Sequence, residues 1–264
     1  MPEVDVERQG PMLTITINRP AARNAIALTT MAELEGVLDQ IAHEAVAVVV
    51  LRGGGDRAFV SGGDLKELAA LRTAEEAAAM AVRMRRVLDK LVRLPMPTIA
   101  ALNGHALGGG AEVAVACDLR LAAEDITIAF NQAQLAIMPA WGGVERLVDL
   151  VGRSKAMQLL LTRTRLGATQ AEAVGLLNLT VPRSDFDREV ETFARQIAEL
   201  PIPVTRAIKS TVDIHRPNTH PDSESSAVKA FAQLWVTDDH WAAADRLRKP
   251  PNHDASDSLP GQGS

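Results

Sequence analysis

Glu112 closes the run Asn103-Gly104-His105-Ala106-Leu107-Gly108-Gly109-Gly110-Ala111-Glu112, which sets a carboxylate beside three consecutive glycines. Apolar runs flank it, Thr98 to Leu102 before and Val113 to Cys117 after. A strand is therefore expected to feed a tight turn that opens into a buried helix, with Glu112 in its first turn. The glycines let the backbone approach a ligand and remove the side chains that would fill that space. N–H groups at a helix start lack intrahelical partners and sit at the positive end of the helix dipole. Such a turn can hold an oxygen that gains negative charge beside an acid–base group; the same residues also suit a plain strand–helix contact.

A second glycine-rich turn lies about 45 residues earlier, in Arg52-Gly53-Gly54-Gly55-Asp56-Arg57-Ala58-Phe59-Val60-Ser61-Gly62-Gly63-Asp64-Leu65-Lys66. It follows Val46 to Leu51, a continuously apolar run of the kind covered on both faces of a sheet. Two such turns suggest a pair of N–H groups converging on one oxygen. Stabilising an enolate or a tetrahedral oxyanion has this requirement, and losing one donor costs roughly 3–4 kcal/mol.

The elements that must position these turns are legible. Val4 and Val6, then Leu13, Ile15 and Ile17, alternate with polar residues around Gln9-Gly10, predicting a hairpin. Thr30 and Glu33 read as a capping box for a helix striped by Met31, Leu34, Leu38 and Ile41. Met80, Met84, Val87, Leu88 and Leu91 mark a long helix stopped by Pro95 and Pro97, with its methionines as core filler. Short strands are expected over Leu119 to Ala122 and Thr127 to Phe130, and Pro139 to Gly143 is a turn into another helix. Ser154 and Thr169 read as helix caps. Beyond residue 184 only helical patterns follow: Phe186 to Leu200, Pro203 to Ile214, Asp222 to Trp235 and Asp239 to Arg248. Strands alternating with helices and then helices alone predict an α/β core, 1–185, and a helical C-terminal module, 186–249. The amphipathic module would bury more apolar surface against another subunit. The tail 250–264, rich in Pro, Gly, Ser and Asp, is expected to be disordered.

Composition excludes several classes. A net charge of -5 argues against nucleic acid or an anionic membrane surface as partner, and no apolar stretch reaches the roughly 18 residues of a membrane span. The single cysteine, Cys117, excludes an internal disulfide framework, fits a reducing compartment and reads as a small buried hydrophobe. Met1 to Arg8 is charged and alternating, unlike a signal peptide, so a cytoplasmic location is expected. The absence of tyrosine excludes a phenol from the chemistry. His215, His220, His240 and His253 lack metal-ligand spacing, and no metal is implied.

These residues resemble the enoyl-CoA hydratase/isomerase (crotonase) superfamily. Ala58 to Lys66 is similar to its A-F-S-A-G-A-D-L-K motif, and Pro97 to Glu112 to P-V-I-A-A-V-N-G-x-A-L-G-G-G-x-E. Cys117 to Arg120, Pro139 to Gly143 with Arg146-Leu147, and Ala171 to Leu176 follow in family order, so the resemblance covers about residues 4 to 240. It implies a spiral of β-β-α turns with C-terminal helices that build trimers, often paired as hexamers. It also implies an acyl-coenzyme A substrate, coenzyme A entering as part of that substrate and not as a tightly bound cofactor. The thioester oxygen would lie between the N–H groups of Gly63 and Gly109. Coenzyme A would run past Arg23, Ala25, Ser61, Asp64, Leu65 and Lys66. Arg23 and Lys66 are the candidate phosphate cations, with a solvated surface charge as the alternative, and Asp64 is expected to cap the following helix.

One departure matters. Family hydratases carry two glutamates; the first matches Glu112, and counting from Cys117 to Pro139 places Gln132 at the second. An amide donates and accepts hydrogen bonds but does not exchange a proton near neutral pH. Three readings follow. In the first, a hydratase or isomerase works through Glu112 with Gln132 as a positioning group. The second is a methyl- or ethylmalonyl-CoA decarboxylase, in which loss of CO₂ makes the enolate without a base. The run Gly108 to Glu112 with Ala116 to Leu121 and Pro139 to Gly143 is similar to ethylmalonyl-CoA decarboxylases, which also lack the second glutamate. The third is a non-catalytic homologue that binds a CoA ester or RNA; RNA-binding members carry lysines on the first helix, and Ala27 to Ile41 has none. His105 is expected to be a packing residue, Glu145 a helix-start charge and Trp141 a pocket or core wall.

Overall fold

The computed structural model describes residues 2–214 and 223–248. Two sheets organise it. The larger has strand order β1-β2-β3-β5-β7-β10 and the smaller β4-β6-β8-β9. Their strands are β1 (Val4–Gln9), β2 (Met12–Ile17), β3 (Val48–Gly53), β4 (Ala58–Val60), β5 (Thr98–Leu102), β6 (His105–Leu107), β7 (Leu119–Ala123), β8 (Thr127–Ala129), β9 (Leu166–Gly167) and β10 (Leu179–Val181). β1 and β2 form the expected antiparallel hairpin, while β2, β3, β5, β7 and β10 run parallel. β3 and β5 are apolar along nearly their whole length because both faces are covered.

The helices are α1 (Leu28–Ile41), α2 (Leu65–Leu68), α3 (Ala74–Val92), α4 (Gly109–Ala116), α5 (Gly143–Thr162), α6 (Ala168–Ala173), α7 (Phe186–Ala198), α8 (Ile202–Ile214), α9 (Ser223–Trp235) and α10 (Asp238–Arg248). Three times the chain makes a strand in the large sheet, a strand in the small sheet and then a helix: β3, β4 and α2–α3; β5, β6 and α4; β7, β8 and α5. That is the spiral the resemblance implies. The α1 and α3 stripes, including Met31, Leu34, Met84 and Leu88, pack on one another and share one apolar core with the residues of β2, β3 and β5.

Several local expectations change. The Thr98 strand does not run directly into the glycine turn; β6 intervenes and carries the chain to the second sheet. Thr30 is not the cap of α1 but its third residue, its hydroxyl accepting the Ala27 N–H. Glu33 accepts the N–H groups of Glu3 and Val4 and so ties α1 to β1 instead of capping its own helix. Ser154 lies inside α5, two residues past the break at Gly152, and Thr169 is the second residue of α6, which Gly167 starts. His105 is exposed, its Nδ1 accepting the Thr127 N–H. Cys117 is buried and α10 begins at Asp238. The expected disordered tail, together with His215, His220 and His253, lies outside the described residues.

Candidate active site

Parallel pairing in the small sheet explains how distant glycines meet. Ala58 pairs with His105 and Val60 with Ala106, so the residues just past β4 and β6 emerge side by side. β8 continues the register, Leu107 opposite Ala129, and delivers Gln132 to the same end. The site thus forms beyond the carboxyl ends of three parallel strands, where successive loops open together. The two glycine turns are in van der Waals range: a methyl on Gly62 would come within 3.4 Å of the Gly109 nitrogen.

Each turn leaves a backbone donor. Gly109 is the first residue of α4, where N–H groups have no intrahelical acceptor. Gly62 O and Asp64 N bond to Ile26, which turns the N–H of Gly63 to the opposite side of that strand. Trp141 stands over both glycines. A methyl on Gly109 would sit 2.2 Å from the indole Cζ3, so only glycine fits beneath it.

Glu112 is buried, 2% exposed, in the first turn of α4. Its Oε2 accepts the N–H groups of Trp141 (2.8 Å) and Gly143 (2.9 Å), and its Oε1 accepts the Gln132 amide Nε2 (2.9 Å). Burial disfavours the carboxylate and pushes Glu112 up to about 7, against the pull of the Gly143 and Trp141 N–H groups, the Arg146 charge and the Gln132 amide. A carboxyl group at that value gives and takes protons near neutrality. Gln132 is also buried, and its Oε1 accepts no hydrogen bond from the described residues. Glu145 pairs with Arg85 (3.0 Å) at the start of α5, as a helix-start charge.

These groups line a cavity of about 220 Å³. Gly63, Gly109, Glu112, Gln132 and Trp141 form its floor; Met80 of α3, Phe231 and Trp235 of α9 and Leu247 of α10 close its apolar side. The covering helices are pinned by polar bonds: Trp235 Nε1 donates to Leu71 O (2.8 Å) and His240 Nδ1 to Leu135 O (2.7 Å). Arg72 lies 3.7 Å over the Trp241 ring.

Of the other expected ligand-binding residues, Arg23, Ser61 and Leu65 line this cavity, whereas Ala25, Asp64 and Lys66 do not. Asp64 caps α2, accepting the Lys66 and Glu67 N–H groups, and pairs with Arg19 (2.9 Å). Ala25 is buried with its carbonyl accepting Arg19 Nη1, and Lys66 is exposed. Sequence reasoning missed two things. The Trp141 and Gly143 amides that hold Glu112 were signalled only as a turn. Phe231 and Trp235 carried no signal, because an aromatic pair at i, i+4 reads as core packing. Met80, read as core filler, also walls the cavity. Among the described residues, no three His, Cys, Asp or Glu side chains are placed to hold a metal, and no helix is long and apolar enough to cross a membrane.

A spiral of this topology, with two glycine amides and one buried carboxyl at its strand ends, defines a crotonase-fold enzyme. Comparison with known proteins makes this specific. The family model for enoyl-CoA hydratase/isomerase matches residues 7–245. A short-chain-enoyl-CoA hydratase of Clostridium acetobutylicum is 36% identical over 195 residues, 74% of each chain. The ethylmalonyl-CoA decarboxylase of Xenopus tropicalis is 33% identical over 223 residues, 84% of this chain and 75% of that one. A crystal structure of an enoyl-CoA hydratase/isomerase from Mycobacterium paratuberculosis superposes with a TM-score of 0.86 at 28% identity, covering 94% of this chain and 99% of the other. The chain belongs to the enoyl-CoA hydratase/isomerase family, a family of enzymes acting on acyl-CoA thioesters.

Proposed function

We propose that the cavity takes an acyl-CoA thioester with its carbonyl oxygen between the amides of Gly63 and Gly109, and that Glu112 moves the proton at the α-carbon of the resulting enolate. The observation that carries this is a single buried carboxyl, at about 7, beside two glycine turns brought together by strand register. In hydration, Glu112 takes a proton from water as its oxygen bonds to the β-carbon; the enolate then takes that proton back at the α-carbon. Gln132 holds Glu112 through Nε2, and its unpartnered Oε1 is the acceptor for the attacking water. Arg23 stands at the exposed mouth as a phosphate cation, with Ser61 and Leu65 along the pantetheine. Lys66, Asp64 and Ala25 would contact coenzyme A outside the cavity. The apolar wall of Met80, Phe231 and Trp235 favours a compact acyl group.

A second reading is decarboxylation of a methyl- or ethylmalonyl-CoA. It is favoured by one observation: Glu112 is the sole carboxylate among the residues lining the cavity, and CO₂ loss needs no second base. Crotonyl-CoA, a 3-enoyl-CoA and ethylmalonyl-CoA, assayed side by side with the wild type and Gln132→Glu, separate the two. Hydration that rises in Gln132→Glu supports the first reading. CO₂ release without hydration supports the second, and absence of both turnover and CoA-ester binding refutes both.

The assembly we propose is a homotrimer or a dimer of trimers. Support comes from the stripe Val204, Ile208 and Val212 of α8, which stands 43%, 55% and 61% exposed at i, i+4, i+8. A monomer by light scattering refutes it. A cytoplasmic location is supported by the lone, buried Cys117, and a net charge of -5 supports a small-molecule ligand over nucleic acid. Neither bound metal nor resident cofactor enters the proposed chemistry.

A further inference from the structure

The carboxyl Glu112 does not reach any charged side chain directly; its bonds go to two backbone amides and an uncharged amide. The turn that supplies those backbone amides is itself held from the far side. Arg146, one turn into α5, donates from Nη1 to the Trp141 carbonyl (2.8 Å) and from Nη2 to Asp89 of α3 (2.6 Å). Its side chain is 14% exposed, so this fork is largely sheltered from water. A chain of contacts therefore runs from Asp89 through Arg146 and the backbone of Trp141, entered at its carbonyl and left at its N–H, to the Glu112 carboxyl and on to Gln132.

We infer that Arg146 is a positioning residue of the active site: it fixes the Trp141–Gly143 turn so that two N–H groups meet Glu112 Oε2. Asp89 orients the guanidinium from α3.

Two features support a role beyond holding a loop. The guanidinium bonds the Trp141 carbonyl while Glu112 bonds the Trp141 N–H, groups on the two successive peptides that flank its Cα, so loss of the fork frees the turn that carries both donors. Arg146 is also the charged side chain whose field favours the Glu112 carboxylate. The other charges near Arg146 are Asp89 and Arg85 from α3, and Glu145 beside it on α5, which pairs with Arg85. From α10, packed on the 3-10 turn that holds Gln132, His240 turns its Nδ1 to Leu135 O. Arg85 pairs with Glu145 and Arg146 with Asp89, but Arg146 also bonds the Trp141 carbonyl of the turn, so Arg146 is the cation whose removal Glu112 would sense.

The inference rests on Glu112 as the proton-moving group, and the test keeps the two apart. Glu112 is titrated directly by ¹³C NMR of side-chain-labelled glutamate, with Glu112→Gln identifying the signal, in the wild type, Arg146→Met and Arg146→Lys. Turnover against pH is measured in parallel, and melting temperature reports folding. Removing a nearby cation favours the neutral acid, so the Glu112 midpoint is expected to rise by roughly one unit in Arg146→Met and to return most of the way in Arg146→Lys. The pH limb of turnover is expected to move by the same amount, with kcat at neutral pH falling roughly tenfold or more. An unchanged Glu112 midpoint in a folded Arg146→Met overturns the positioning role. A midpoint that moves while the turnover profile stays fixed keeps the positioning role and overturns Glu112 as the proton-moving group. Should Arg146→Met not fold, Arg146→Gln and Asp89→Asn carry the same titration, and a midpoint fixed in both is again decisive against it.

Discussion

The floor and the roof of the cavity are built by different means. The floor is made by backbone: Gly63 and Gly109 follow parallel strands paired across a bulge between Ala58 and Val60, and Glu112 is held by two peptide N–H groups and one amide. The roof is made by apolar side chains, Met80 from α3, Phe231 and Trp235 from α9, and Leu247 from α10. Backbone groups fixed by register place donors with little reorganisation, which suits a developing oxyanion. Side chains on separate helices are free to vary in size, which suits choosing among acyl groups. The contrast points to a division of labour under the proposed function, with reactivity in the floor and selection in the roof.

That division can be broken at its strongest point first. If Glu112 exchanges the proton as proposed, Glu112→Gln is expected to lower turnover of a compact enoyl-CoA 10²–10⁴-fold, measured as kcat. Retained hydration in this variant would transfer the chemistry elsewhere in the cavity. Next, Gly109→Ala drives a methyl to 2.2 Å from Trp141 and displaces the turn that carries one of the proposed oxyanion donors. A loss of about 10²–10³ in kcat is expected, with melting temperature recorded to separate misfolding from misalignment.

A stability measurement sharpens the contrast without substrate. Glu112 stands near 7 in the fold against an ordinary value of 4.5, so the folded state binds its proton more tightly than the unfolded chain. Its contribution is therefore fully present below about pH 4.5, is lost as pH rises through about 7, and leaves a constant deficit above. At about 1.4 kcal/mol per unit the deficit is roughly 3 kcal/mol. Urea unfolding of the wild type and Glu112→Gln from about pH 5 to pH 8 is expected to show the variant gaining on the wild type by up to that amount. Parallel pH profiles would show that burial does not raise Glu112. The smallest effect belongs to the roof: Phe231→Ala is expected to shift the kcat/KM ratio of a longer to a shorter acyl-CoA roughly tenfold toward the longer. An unchanged ratio would mean that Phe231 does not bound the acyl site.

Much of the floor was legible before any coordinates. The two glycine turns stand in the sequence as local motifs, and their strands announce themselves by continuous apolar runs at 46–51 and 98–102. Gln132 was found by counting along an ungapped segment. Capping was read less well: Thr30 and Glu33 have the spacing of a capping box, yet Glu33 serves β1, because a partner from another element competed for it. His105 was expected to pack and is exposed, since β6 turns it outward at the edge of a three-residue strand.

By itself the amino-acid order determined the strand–turn–helix units, the carboxyl in the first turn of α4 and the amide at position 132, because these follow from neighbours within a few residues. Only the tertiary structure decided that Trp141 and Gly143 hold Glu112, that Arg146 braces their turn, and that α9 and α10 roof the cavity. Arg146 reaches Trp141 from five residues on, but the contacts of Glu112, of Asp89 with Arg146 and of the roof join segments dozens of residues apart. Their outcome, including a carboxyl raised to about 7, depends on total burial and on which distant donors arrive, quantities that no local pattern encodes.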